Sequence, residues 1–306
     1  MKRAGSTLAG SCLATVLLLA APASGDGPAD LQVLGNGQGE TPAWSQEALR
    51  WYETHLPTLP LDYPTREGFL AYAPAFPYLD EVNWSLLGLA QFAELQKARW
   101  VRVPAGQKIQ RDPARGTWRW PVGSETAKLF RARTLDAAGN PVWTELELRL
   151  ARKLRDDPDP RQGWAMGVYV RARAPAEGWA VVRPPALRLD VERARVPGGG
   201  TRTVIYALTP PEGCLTCHAH ARNSPVDLER GNELVYGAND ELLTGRARLR
   251  LSQWRASPAL RAGARELARD EARGWVEVQT HDLQAIRANR AAFAAVLEGE
   301  LPPEPR

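Results

Sequence analysis

From Trp100 onward the apolar positions fall at every second residue. Val101 and Val103 open the pattern, Leu146, Leu148 and Leu150 alternate with Glu145, Glu147 and Arg149, and Trp164, Met166, Val168 and Val170 alternate with Ala165, Gly167 and Tyr169. A period of two predicts strands. Residues 187–191 and 203–208 repeat it, and Gly139-Asn140, residues 156–160 and residues 197–200 supply turn signals between the runs, so an antiparallel sheet is expected. The period changes at both ends. Residues 42–52 and 83–98, the latter with Leu86, Leu87, Leu89, Ala90 and Ala93 at helical spacing, predict helices joined by the proline-rich stretch 56–77. Ala247, Leu249 and Leu251 then alternate with arginines in a last strand. Residues 258–272 and 280–297 are rich in Ala, Arg and Glu, with Leu260, Leu267, Leu283, Ile286, Phe293 and Leu297 as apolar anchors, and predict helices, Thr280 capping the second. The expected class is α+β: an antiparallel β-sheet domain with flanking N-terminal helices and a helical C-terminal tail.

The first residues carry a different message. Lys2 and Arg3 precede the apolar run 13–20 and the small-residue site Ala21-Pro22-Ala23, the order of an export signal peptide over residues 1–23. The run falls short of the roughly 20 residues that a spanning helix needs. A periplasmic or otherwise exported chain is expected, with no transmembrane segment after signal cleavage, and Cys12 leaves with the peptide. Residues 24–42, rich in Gly, Asp and Pro, are expected to be a flexible leader. Behind it come a helical N-terminal region (43–98), a β-rich domain (99–252) and the helical tail (253–306). The full chain has 39 basic and 35 acidic residues; without Lys2 and Arg3, 37 remain, so the exported part is nearly balanced and gives no ground for a nucleic-acid partner. Eleven tryptophans suit either ordinary core packing or a wrapping around a planar cofactor.

After the signal only two of the three cysteines remain, and they stand in Cys214-Leu215-Thr216-Cys217-His218. Thiols three positions apart can form thioethers with the two vinyl groups of a haem, and the adjacent imidazole can reach its iron, so the first reading is one covalent haem c with His218 as proximal ligand. Zinc held by Cys214, Cys217, His218 and His220 crowds into seven residues ligands that zinc sites usually draw from two separated segments. A thioredoxin-like dithiol needs a βαβ context, and residues 209–213 read as a loop. For the sixth iron position the candidates are Met166, His55 and His281; Met166 lies on an apolar strand face where a core methionine is at home. A five-coordinate or water-ligated iron is the other option.

The segments 97–109, 118–123 (Trp118-Arg119-Trp120-Pro121-Val122-Gly123) and Lys128-Leu129-Phe130 resemble exported bacterial haem-c proteins similar to cytochrome P-460. The resemblance covers roughly residues 97–236. It implies an antiparallel sheet followed by a C-terminal haem motif, a covalent bond between the haem edge and Lys128, five residues after Gly123, and a carboxylate over the open side of the iron, for which Glu147 is the match. Residues 163–166 match a tryptophan-bearing strand. The family keeps an aspartate and an aromatic shortly after the haem histidine, whereas here residues 232–236 follow an insertion, and residues 179–213 are also longer.

Three functions are therefore in view. One is a periplasmic cytochrome c that passes electrons to a redox partner protein. Another is a P-460-like haem enzyme oxidising hydroxylamine or nitric oxide, with Glu147 as general base toward a small nitrogen-oxide ligand. The third is a gas-binding haem module. Bland roles exist for the same side chains: Lys128 as a solvated lysine, and Glu147 with Arg149 or Glu145 with Lys128 as ion pairs.

Overall fold

A computed structural model describes residues 32–34, 46–59, 67–74, 95–114, 116–157, 160–171, 179–181, 188–195, 199–208, 240–280 and 282–305. The strands are β1 (Gln32–Leu34), β2 (Leu70–Tyr72), β3 (Leu95–Arg102), β4 (Gln110–Asp112), β5 (Thr117–Arg119), β6 (Glu125–Leu135), β7 (Pro141–Lys153), β8 (Trp164–Arg171), β9 (Trp179–Val181), β10 (Arg188–Arg195), β11 (Thr201–Ala207), β12 (Arg246–Arg250), β13 (Ala264–Asp270) and β14 (Trp275–Thr280). The helices are α1 (Gln46–His55), α2 (Pro160–Gly163), α3 (Asp240–Thr244), α4 (Leu251–Ala256), α5 (Pro258–Gly263) and α6 (Leu283–Ala294). The expected mixture of an antiparallel sheet with helices is present.

The hairpin β6–β7 is the spine of the molecule. Its turn closes where the Asp136 carboxylate accepts the Asn140 N–H at 2.8 Å, and Gly139 takes a φ of +88° that suits glycine. Around it runs the order β1-β11-β10-β6-β7-β8-β9, with β3 sharing with β10 the edge of β6 opposite β7, β3 along residues 125–132 and β10 at Thr134, and β2 beyond β3. Both faces of this sheet are buried. On one, Ala127, Leu129, Leu148, Leu150, Ala165 and Tyr169 pack with Leu59 and Trp179. On the other lie two clusters: Phe130, Ala132, Leu146, Val168, Val191, Ala194, Tyr206 and Leu208 at one end, and Val101, Ala151, Trp164 and Met166 with Trp118, Trp120 and Phe293 at the other. Trp118, Trp120 and Trp164 are thus core residues.

Strict alternation fails at one place that matters. The β6–β7 register pairs Phe130 with Glu147 and Arg131 with Glu145, which leaves Leu146 as a bulged residue. The bulge keeps Leu146 on the Phe130 face and turns Glu145 to the opposite one. Glu145 and Glu147, two positions apart, therefore do not share a face, and the expected Glu145–Lys128 pair gives way to Glu145–Arg131 at 3.4 Å.

Other expectations are corrected in the described residues. Residues 95–98 do not end a helix; they open β3, whose ladder runs from Leu95↔Ala132 to Arg102↔Glu125. Within the expected leader, Gln32–Leu34 pair in parallel with residues 204–206 of β11. The expected helical tail contains β13 and β14, which join the expected last strand β12 in a three-stranded sheet, order β12-β14-β13, over a core of Leu249, Leu251, Trp254, Leu260, Val276, Val278 and Ile286. Helical propensity over 264–270 yields to pairing with β14. Thr280 closes β14, and Asp282 caps α6 by accepting the Ala285 N–H at 3.0 Å. Among the described residues no helix is long and apolar enough to cross a membrane. The expected signal peptide and helix 83–94 lie outside the described residues.

Candidate functional site

The Phe130 face gathers charge at its centre. In-register pairing sets Lys97, Phe130 and Glu147 side by side on β3, β6 and β7, and Arg99, Lys128 and Arg149 on the adjacent rung. Phe130 is the platform: the Arg149 guanidinium lies 4.4 Å from its ring centroid, and the Lys97 and Lys128 ammonium groups lie 5.8 and 5.9 Å away. The predicted residues Lys128 and Glu147 are therefore neighbours on one face.

Glu147 is 0% exposed. Burying a carboxylate is costly unless donors surround it. Arg149 supplies a fork, with Nε against Oε1 and Nη2 donating to Oε2 at 3.2 Å, and Tyr206 Oη donates to Oε2 at 2.7 Å. Burial, and then the negative charge of Glu147, hold the Tyr206 phenol well above its ordinary range. The Tyr206 contact also reports on the sheet. β11 and β7 have β10 and β6 between them, so in a flat sheet their backbones would stand about 14 Å apart, more than the two side chains bridge. The sheet curls inward over the Phe130 face.

Met166 is buried on the same face, paired with Ala151, among the rings of the apolar cluster at the far end. Glu147 stands four positions from Ala151, about 13 Å along β7. Met166 thus stands on the rung next to Lys128 and Arg149 and two rungs from Glu147. His55, in the last turn of α1, uses Nδ1 on the Trp51 carbonyl oxygen at 2.7 Å and packs its ring 4.4 Å from that of Trp51. Cys214, Cys217, His218, His220 and His281 lie outside the described residues. Among those described, no three His, Cys, Asp or Glu side chains are placed to hold a metal ion.

Arg149 follows Glu147 by one alternation, so that partnership is readable from the sequence. Tyr206 is 59 residues away and gives no local signal. A second buried carboxylate also escaped notice. Glu125, 1% exposed on the opposite face, is held by Arg102 and by Arg152, whose Nε donates at 2.7 Å. Among the described residues Glu125 has two guanidinium partners and no phenol, as a structural staple would, whereas Glu147 has one cation and one neutral donor.

No family model matches the chain, and no curated protein and no solved structure matches it.

Proposed function

We propose that the protein is an exported monohaem c-type cytochrome that transfers electrons. The observation that carries the reading is Cys214-Leu215-Thr216-Cys217-His218, in a chain whose one other cysteine is Cys12. The donor set fits haem c: Cys214 and Cys217 would hold the ring through thioethers and His218 would face the iron. A second support is nearness in sequence. Leu208 is buried beside Phe130 and Tyr206, and the motif begins six residues later in the sequence. When bound, the haem supplies a one-electron centre to a redox partner protein. Cys217→Ala is expected to abolish or sharply weaken the haem stain that survives a denaturing gel, while a stain of unchanged strength overturns the reading.

One specific observation favours a second reading, a P-460-like enzyme acting on hydroxylamine or nitric oxide: the buried Glu147 carboxylate shares a face with Lys128. In this reading Glu147 accepts a proton from the substrate, Arg149 keeps the carboxylate oriented and the apolar surroundings limit water. Lys128 is the side chain that the resemblance assigns to the haem edge. Optical spectra of the oxidised, reduced and carbon monoxide-treated protein separate the readings. Sharp reduced bands indifferent to carbon monoxide mean a carrier; a broad spectrum that responds, and that changes in Lys128→Ala, means the enzyme.

A further inference from the structure

Tyr206 is the one described side chain outside the β6–β7 hairpin that bonds to Glu147, and it does so at 2.7 Å with 2% of its own surface exposed. A phenylalanine would fill the same apolar surroundings of Val168, Val191 and Leu208 without bringing a hydroxyl into them. A hydroxyl there carries a desolvation cost unless it is bonded, so its value lies in the bond. Arg149 alone grips both carboxylate oxygens from within the strand; the phenol adds a donor from across the curl, on Oε2, and fixes the plane in which the carboxylate stands. Tyr206 also stands eight residues before Cys214, on the strand that leads into the motif.

We propose that Tyr206 is a positioning residue for Glu147, a role that rests on reading Glu147 as a proton acceptor. Its phenol holds the carboxylate toward the Lys128 rung, so proton transfer depends on a side chain that itself touches no substrate. Among the described residues of β3, β6 and β7, the charged groups on the same face around the pair are Arg149 on β7, Lys128 on β6, and Lys97 and Arg99 on β3. Burial first and then the negative charge of Glu147 hold back the ionisation of Tyr206, and the charge of Arg149 favours it.

Two measurements on the full chain test this. The first is an alkaline ultraviolet-difference titration of the phenols, with Tyr206→Phe identifying the contribution of Tyr206. In Glu147→Gln the neighbouring negative charge is gone, so Tyr206 is expected to ionise about one pH unit or more lower than in the unaltered chain. An identical titration overturns the coupling, and this arm needs no haem. The second is turnover of hydroxylamine by the haem-loaded protein with an added electron acceptor. Tyr206→Phe is expected to lower kcat by roughly tenfold at nearly constant KM and to change the pH profile. A folded Tyr206→Phe protein with unaltered kcat and pH profile overturns the positioning role. If the titration shifts but the unaltered haem protein shows no turnover, the reading of Glu147 as acceptor falls, and the positioning role with it. Should Tyr206→Phe not fold, the comparison of Glu147→Gln with the unaltered chain still decides the coupling.

Discussion

Lys153 ends β7 with its side chain 2% exposed, its ammonium group donating to the Trp120 carbonyl at 2.7 Å and paired with Asp156 Oδ1 at 2.7 Å. The Lys153 hydrogen bond, and then that of Arg119, hold the Asp156 carboxyl below its ordinary range. A carboxylate whose pKa is lowered by folding adds stability above its unfolded pKa and loses it as the pH falls through the folded value. Asp156→Asn is therefore expected to cost about 1 kcal/mol near neutral pH, a modest figure because the carboxylate is half exposed and screened. The variant and the unaltered chain should converge in acid. Urea midpoints from about pH 7 down to about pH 3 check this, and a constant gap across that range would sink the attribution. Lys153 shows what a sequence conceals at this scale: in a run with Arg149, Arg152 and Arg155 it reads as surface charge, and only the β7 ladder turns it inward. Glu147 and Arg149 were legible because alternation alone puts them together, whereas Tyr206 required a sheet curl that no local pattern encodes.

Elements departed from expectation where strands bulge. β13 pairs Glu266 with Val278 and Ala268 with Glu277, leaving Leu267 between them. With that extra residue, Ala264 is buried and Leu267 and Asp270 half-buried, a spacing of three that imitates a helix face. Composition rich in Ala, Arg and Glu reinforced the imitation. β7 went the opposite way: alternation was read through Leu146, and the bulge there moved Glu145 to the other face. Corners between elements are similarly specified by tertiary packing. Gly245 leaves α3 with φ +64°, donates to Glu241 O at 2.8 Å and accepts from Thr280 N–H at 2.9 Å. A Cβ there would stand 2.4 Å from Ile286 Cδ1 and 2.8 Å from Thr280 Cγ2. Gly245→Ala combines left-handed strain with overpacking and is expected to destabilise by about 2–4 kcal/mol. A urea midpoint within error of the unaltered chain would mean that the corner relaxes freely.

At the scale of the whole molecule, the large sheet and the C-terminal helices α3 and α6 share one core. Phe293 of α6 and Leu242 and Leu243 of α3 pack against Trp118, Trp120, Trp164 and Met166, and β12 joins β14 across residue 252, where the alternating pattern of the sequence stops. The polar joints repeat the connection. Ile109 donates to Val296 O and accepts from Glu298 N–H, and the buried Asn289 bonds both the N–H and the carbonyl of Ala73. The strongest joint is Asp240, which receives Arg111 Nε at 2.7 Å, Arg111 Nη2 at 2.6 Å and Trp118 Nε1 at 2.9 Å. That bond raises the Arg111 pKa, so the guanidinium stays charged and needs its counterion at any pH where the protein is folded. Removing the carboxylate strands a largely buried cation and an indole N–H together. Asp240→Ala is expected to cost about 2–4 kcal/mol, less than a fully buried pair would because some water reaches both groups. Because α3 and α6 tie the C-terminal part into the core of the large sheet, the loss should shift a single transition instead of splitting it. Urea unfolding followed by tryptophan fluorescence and by far-ultraviolet circular dichroism tests this: coincident curves at a lower midpoint mean one cooperative body, and separated curves mean that the C-terminal sheet melts by itself and that Asp240 is a local contact.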